Sequence, residues 1–113
     1  MRPIVALVAA DHELVRYLED VGFDVRAVES PLHAPREGTL VWLTEPDFDE
    51  RLVIDTLRMW LGANLNARVV LVSDRPTRLK DACQDRSRVI LLAAPVFGWQ
   101  LVDAIRDSTP SQR

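Results

Sequence analysis

The chain alternates short, wholly apolar runs with longer stretches in which apolar residues recur every three or four positions. Ile4-Val5-Ala6-Leu7-Val8-Ala9-Ala10 is a continuous apolar run, the pattern of a strand covered on both faces. Asp11 then stands where a helix wants a capping acceptor. Leu14, Val15, Leu18 and Val21 follow at helical spacing, and Gly22 sits where a helix end favours positive φ. Phe23 to Val28 alternates apolar and polar residues, as a half-exposed edge strand does. Residues 29–38, ESPLHAPREG, hold Pro31, Pro35 and Gly38 and make poor helix material. Thr39 to Thr44 reads as a third strand. A helix capped by Asp47 or Asp49 then runs to about Gly62, with Leu52, Val53, Thr56, Leu57, Trp60 and Leu61 as a broad inward stripe. Arg68 to Ser73 is a fourth strand, and Thr77 to about Asp85 a short helix carrying Leu79, Ala82 and Cys83. Val89 to Ala94 is a fifth strand, broken by Pro95, and Trp99 to Asp107 is a last helix with Leu101, Val102 and Ile105 inward.

Strands alternating with helices predict an α/β fold, a parallel sheet with helices on both faces. Five strands in a chain of this length suit the flavodoxin-like, three-layer arrangement with strand order 2-1-3-4-5. Between the second and third strands the proline-rich segment predicts a helix shortened or missing. Residues 1–107 form one expected domain, and 108–113, STPSQR, read as a polar tail or the start of a linker.

Composition narrows the function classes. The chain has 113 residues, 48% apolar and 27% charged, enough to bury a core in one domain without metals or disulfides. A net charge of −3, with 14 basic residues scattered among 17 acids, gives no basic footprint for nucleic acid. No apolar run reaches the ~18 residues of a membrane span, and the N-terminus lacks a signal-peptide pattern, so a cytoplasmic protein is expected. Cys83 is the single cysteine, which excludes an internal disulfide and the paired-cysteine zinc patterns; its plain reading is a small apolar helix residue. His12 is expected at a solvent-facing first helical turn and His33 in a loop.

In doubly wound sheets the chemistry collects at the C-terminal ends of the strands. Those ends here are Ala9-Ala10-Asp11-His12, Thr44, Ser73 and Ala94-Pro95. ADHELVR (10–16), TLVWLTEP (39–46), VVLVS (69–73) and LLAAPVFGWQLVDAI (91–105) stand in an order and spacing that resembles the receiver domain of bacterial response regulators over nearly the whole length. ADHELVR is similar to the turn common in regulators with a helix-turn-helix DNA-binding output. The resemblance implies an acid pair for Mg²⁺ after the first strand, a phospho-acceptor aspartate after the third, a switch hydroxyl after the fourth and a lysine after the fifth. This sequence departs from that pattern. Ala10 replaces one acid, with Asp11 as the other or a one-residue shift putting Ala9 and Ala10 at both positions. Thr44 stands at the phospho-acceptor position and Ala94 at the lysine, while Ser73 and Pro95 remain. Mg²⁺ needs several oxygen ligands, usually including carboxylates, and a threonine with no base beside it is not an activated nucleophile. A degenerate, pseudo-receiver form is expected, with no cofactor and no enzymatic activity. Asp11 reads more simply as a helix cap than as a metal ligand, and Ser73 as a satisfied strand end.

By that resemblance, output runs through the face made by the fourth helix, the fifth strand and the fifth helix. Arg78, Arg86, Trp99, Asp103 and Arg106 are interface candidates there, with Trp99 as an aromatic anchor and core packing as its alternative. Trp42 and Trp60 are expected to point inward. The expected function is phosphorylation-independent signalling through a protein partner or a homodimer, as the N-terminal regulatory part of a helix-turn-helix transcriptional regulator. The alternatives are a small-ligand sensor using the vestigial pocket near Asp11, Thr44 and Ser73, and, behind it, a phosphoswitch on another acid such as Asp47.

Overall fold

The protein is described by a computed structural model covering residues 3–8, 12–34, 38–44, 49–63, 68–75, 77–79 and 88–108. Its elements are β1 (Ile4–Val8), α1 (His12–Val21), β2 (Asp24–Val28), β3 (Thr39–Leu43), α2 (Glu50–Ala63), β4 (Arg68–Ser73), β5 (Val89–Ala93) and α3 (Gly98–Ser108). A single 3₁₀ turn, Pro31–His33, stands between β2 and β3, where the prolines predict a shortened helix. A second 3₁₀ turn covers 77–79. The rest of the short helix expected through Asp85, with Cys83 and Arg86, lies outside the described residues, as do Ala10, Asp11 and Asp47.

All five strands pair in parallel in the order β2-β1-β3-β4-β5, as the alternation predicts. The period of two along each strand sorts the core into two layers. Val5, Leu7, Val41, Val70 and Val72 face α1 and α3, meeting Leu18, Leu101 and Ile105. Ala6, Val8, Leu40, Val69 and Leu71 face the other way, meeting Val53, Leu57 and Trp60 of α2 and Leu79 of the 77–79 turn. Strands β1, β3 and β4 are buried nearly end to end because both faces are covered, which is why they read as unbroken apolar runs. Trp42 is half-buried in the α2 layer.

Helix α2 begins at Asp49, whose carboxylate accepts hydrogen bonds from the Arg51 and Leu52 amides at 3.0 and 3.3 Å. Of the two acids open in the sequence, Asp49 is thus a cap. The inward stripe is narrower than its spacing predicts. Val53, Leu57 and Trp60 are buried, but Leu52 is 64% exposed. The opposite flank is tied down: Arg78 pairs with Glu50 at 3.4 Å, and the Arg88 guanidinium donates to the Leu61 carbonyl at 3.0 Å. Leu52 and Met59 lie two turns apart on the untied flank, both exposed. The connection from β2 to β3 meets α2 with a 3₁₀ turn.

Candidate functional site at the strand ends

The C-terminal ends of β3, β4 and β5 stand side by side, in a register that places Leu43 opposite Val72 and Ser73 opposite Ala93. Thr44, just beyond β3, turns both of its donors to one atom: its amide at 2.9 Å and its hydroxyl at 3.0 Å from the Val72 carbonyl oxygen. Ser73 is fully buried. Its hydroxyl oxygen accepts the Arg75 amide at 3.0 Å, and its carbonyl accepts the Ala94 amide at 2.8 Å. The peptide bond from Ala94 to Pro95 is cis. The structure therefore brings Thr44, Ser73, Ala94 and Pro95 to one edge. Each hydroxyl there serves as a backbone partner at a strand end, the plain reading of Ser73. Among the described residues, no group of three or more His, Cys, Asp or Glu side chains stands together. His12 and His33 are both exposed, on the first turn of α1 and in the Pro31–His33 turn.

An open space lies beside this edge. A groove of about 610 Å³ runs between the first turns of α1 and the connection from β5 into α3. Leu43, Val72, Ala94 and Val96 form its floor and sides, Tyr17 and Phe97 its aromatic walls, and Glu13 contributes a carboxylate. Neither Thr44 nor Ser73 lines it, so a small ligand here would meet apolar walls rather than the vestigial polar pair. Gly98 makes the wall possible. A Cβ at that position would stand 2.6 Å from the Tyr17 ring, so the ring lies directly against bare backbone at the start of α3. The Phe97 amide donates to Gln100 Oε1 at 2.7 Å, which caps that helix end. The sequence carries a trace of this groove in FGW (97–99) and in Tyr17, a large ring outside the Leu14, Val15, Leu18, Val21 stripe.

Trp99 resolves as a surface residue, 58% exposed, stacked against Phe97 with ring centres 6.5 Å apart and planes 7° apart. Phe97 is itself 66% exposed. Trp99, Asp103 and Arg106 fall on one outward stripe of α3, at spacings of four and three residues. Arg78 does not join them. It belongs to the 77–79 turn in the α2 layer and is paired with Glu50.

No protein-family model matches the chain, and no curated protein does. Solved structures do. The chain is similar to a response regulator from Thermotoga maritima, with TM-score 0.77 at 15% identity over 98% of this chain and 100% of that one. It is similar to a response regulator receiver protein from Sinorhizobium medicae, with TM-score 0.71 at 18% identity over 95% and 94% of the two chains. It is also similar to a structure described as adenylate cyclase from Rhodopirellula baltica, with TM-score 0.70 at 14% identity, covering 96% of this chain and 87% of that one. At such identities the likeness concerns the fold alone. The sheet order and these superpositions agree that the chain has the flavodoxin-like fold of response regulator receiver domains.

Proposed function

We propose that this chain is a non-enzymatic signalling module of the receiver type that works without aspartyl phosphorylation, by contact with a second copy of itself or with another protein. The observation that carries the reading is Thr44. It occupies the end of β3, where the resemblance places the phospho-acceptor, and its hydroxyl is committed to the Val72 carbonyl. Phosphoryl transfer depends on a carboxylate nucleophile, a divalent cation and a positive group to neutralise developing charge. A threonine bonded to backbone and an alanine at position 94 offer none of these, and two hydroxyls make a poor donor set for Mg²⁺. The exposed Phe97–Trp99 stack, beside Asp103 and Arg106, supports the contact half of the reading, because aromatic anchors with a polar rim are the usual make-up of interface centres. A cytoplasmic place and a role as the regulatory part of a transcriptional regulator belong to the same reading. Among the described residues no helix is long and apolar enough to cross a membrane.

Two measurements test it. Intact mass after incubation with a small phosphodonor and Mg²⁺ is expected to show no acid-labile adduct, and a stoichiometric adduct overturns the phosphorylation-independent reading. Light scattering behind a sizing column is expected to show a dimer persisting to low micromolar concentration, weakened by Trp99→Ala. A strict monomer at every concentration removes self-association and leaves a different protein as the partner.

A further inference from the structure

We infer that the groove between α1 and the β5–α3 connection is a binding site for a small organic cation with an apolar body, an arylalkyl- or alkylammonium ion. At about 610 Å³ the groove falls within the ~300–1,000 Å³ typical of small-molecule sites. Its chemistry is one-sided. Leu14, Leu43, Val72, Ala94 and Val96 offer apolar side chains, and among the described residues Glu13 is the one ionised side chain that lines it. The strand-end polar atoms next to it are already used. The Thr44 hydroxyl is on the Val72 carbonyl, the Ser73 hydroxyl holds the Arg75 amide, and the Phe97 amide is on Gln100. At the amino end of α3 Gln100 takes the Phe97 amide, and the partial positive charge of that end, about +0.5, stands against the full negative charge of Glu13.

The side chains left for recognition among the described residues are a carboxylate and two aromatic rings, Glu13 with Tyr17 and Phe97. A ring presents negative potential from its face, so this trio favours a positive group held near rings and opposite a carboxylate. Glu13 makes no ion pair among the described residues, so an incoming ammonium need not displace a partner. The Tyr17 ring lies against the backbone of Gly98, where a Cβ would leave it no room. The site meets the outward Trp99 stripe at Phe97, whose ring stacks on Trp99, while Glu13 and Tyr17 belong to α1.

The test uses three probes of nearly one shape and different charge: 2-phenylethylammonium, 2-phenylethanol and phenylacetate, titrated into the whole chain by calorimetry. The ammonium is expected to bind saturably, about fivefold to tenfold tighter than the alcohol, with the phenylacetate weakest. Glu13→Gln is expected to bring the ammonium down to the level of the alcohol and leave the alcohol unchanged. Glu13 is exposed, so this variant keeps its fold, which its thermal transition verifies. Tyr17→Leu, which keeps apolar bulk and loses the ring, is expected to weaken the ammonium more than the alcohol. Equal binding of all three probes, no saturation by the ammonium at millimolar concentration, or an unchanged preference in Glu13→Gln would each overturn the site.

Discussion

The two faces of the sheet are covered by different means. One carries two helices side by side, α1 and α3, and their shared core takes in Leu18, Leu101 and Ile105. Among the described residues the other carries one helix and two 3₁₀ turns, and its core rests on Val53, Leu57 and Trp60 of α2 with Leu79 beyond. Exposed apolar groups differ accordingly. On the two-helix face they gather at the strand-end edge, as Tyr17, Phe97 and Trp99, next to a groove. On the one-helix face they are Leu52 and Met59, two turns apart on α2. The same apolar residue type is thus core on one flank of a helix and surface on the other, decided by which neighbour the chain has length to supply.

The sharpest way to break this comparison is to remove one leucine from each position. Leu57→Ala and Leu101→Ala, each 1% exposed or less, are expected to cost about 2–5 kcal/mol by denaturant unfolding. Leu52→Ala is expected to stay within about 0.5 kcal/mol. A Leu52→Ala cost matching that of Leu57→Ala would mean the untied flank is covered after all.

The short connection has its own weak point. Gly38 has φ of +92°, and a Cβ there would press into the backbone of Ile4. Gly22 has φ of +117° with open space around it. Gly38→Ala is therefore expected to cost about 3 kcal/mol, backbone strain plus overlap, against about 1 kcal/mol for Gly22→Ala. Equal costs in thermal unfolding would show that the connection can move away from β1.

Smaller effects come next. Thr44→Val, which keeps the shape and removes the hydroxyl donor, is expected to cost about 1 kcal/mol, whereas Thr44→Ser should retain most of it. No loss in the valine variant would remove the hydroxyl from the account of the strand end. Smallest is Arg78→Ala. Both partners of its pair with Glu50 are more than two-fifths exposed, so the expected change is below about 0.5 kcal/mol and shrinks with added salt.

The sheet was legible because burial on both faces leaves a direct mark, the unbroken runs at Ile4–Val8, Thr39–Leu43 and Arg68–Ser73. Pro31 and Pro35 announced the short connection, since ring geometry opposes a helix there. Leu52 was misread for a physical reason: periodicity shows which side of a helix is apolar, and not whether a neighbour stands against it. The polar strand ends Thr44 and Ser73 were legible as abrupt stops in apolar runs. The groove was not, because it is assembled from the first turns of α1 and residues 94–98. Its floor is made of ordinary core residue types, and its rings, Tyr17 and Phe97, stand far apart in sequence with no motif spacing.

The contact between α1 and α3 also sets an order of events. Residues 12–21 find one of their main supports in residues 98–108, almost the whole chain away. Pairings of such long range are slow to form, since much of the chain must be ordered before they are rewarded. A chain still being synthesised can pair β1 with β2 and then β3 early. It must wait for Leu101 and Ile105 before that face closes, so the first helix made is among the last to be secured.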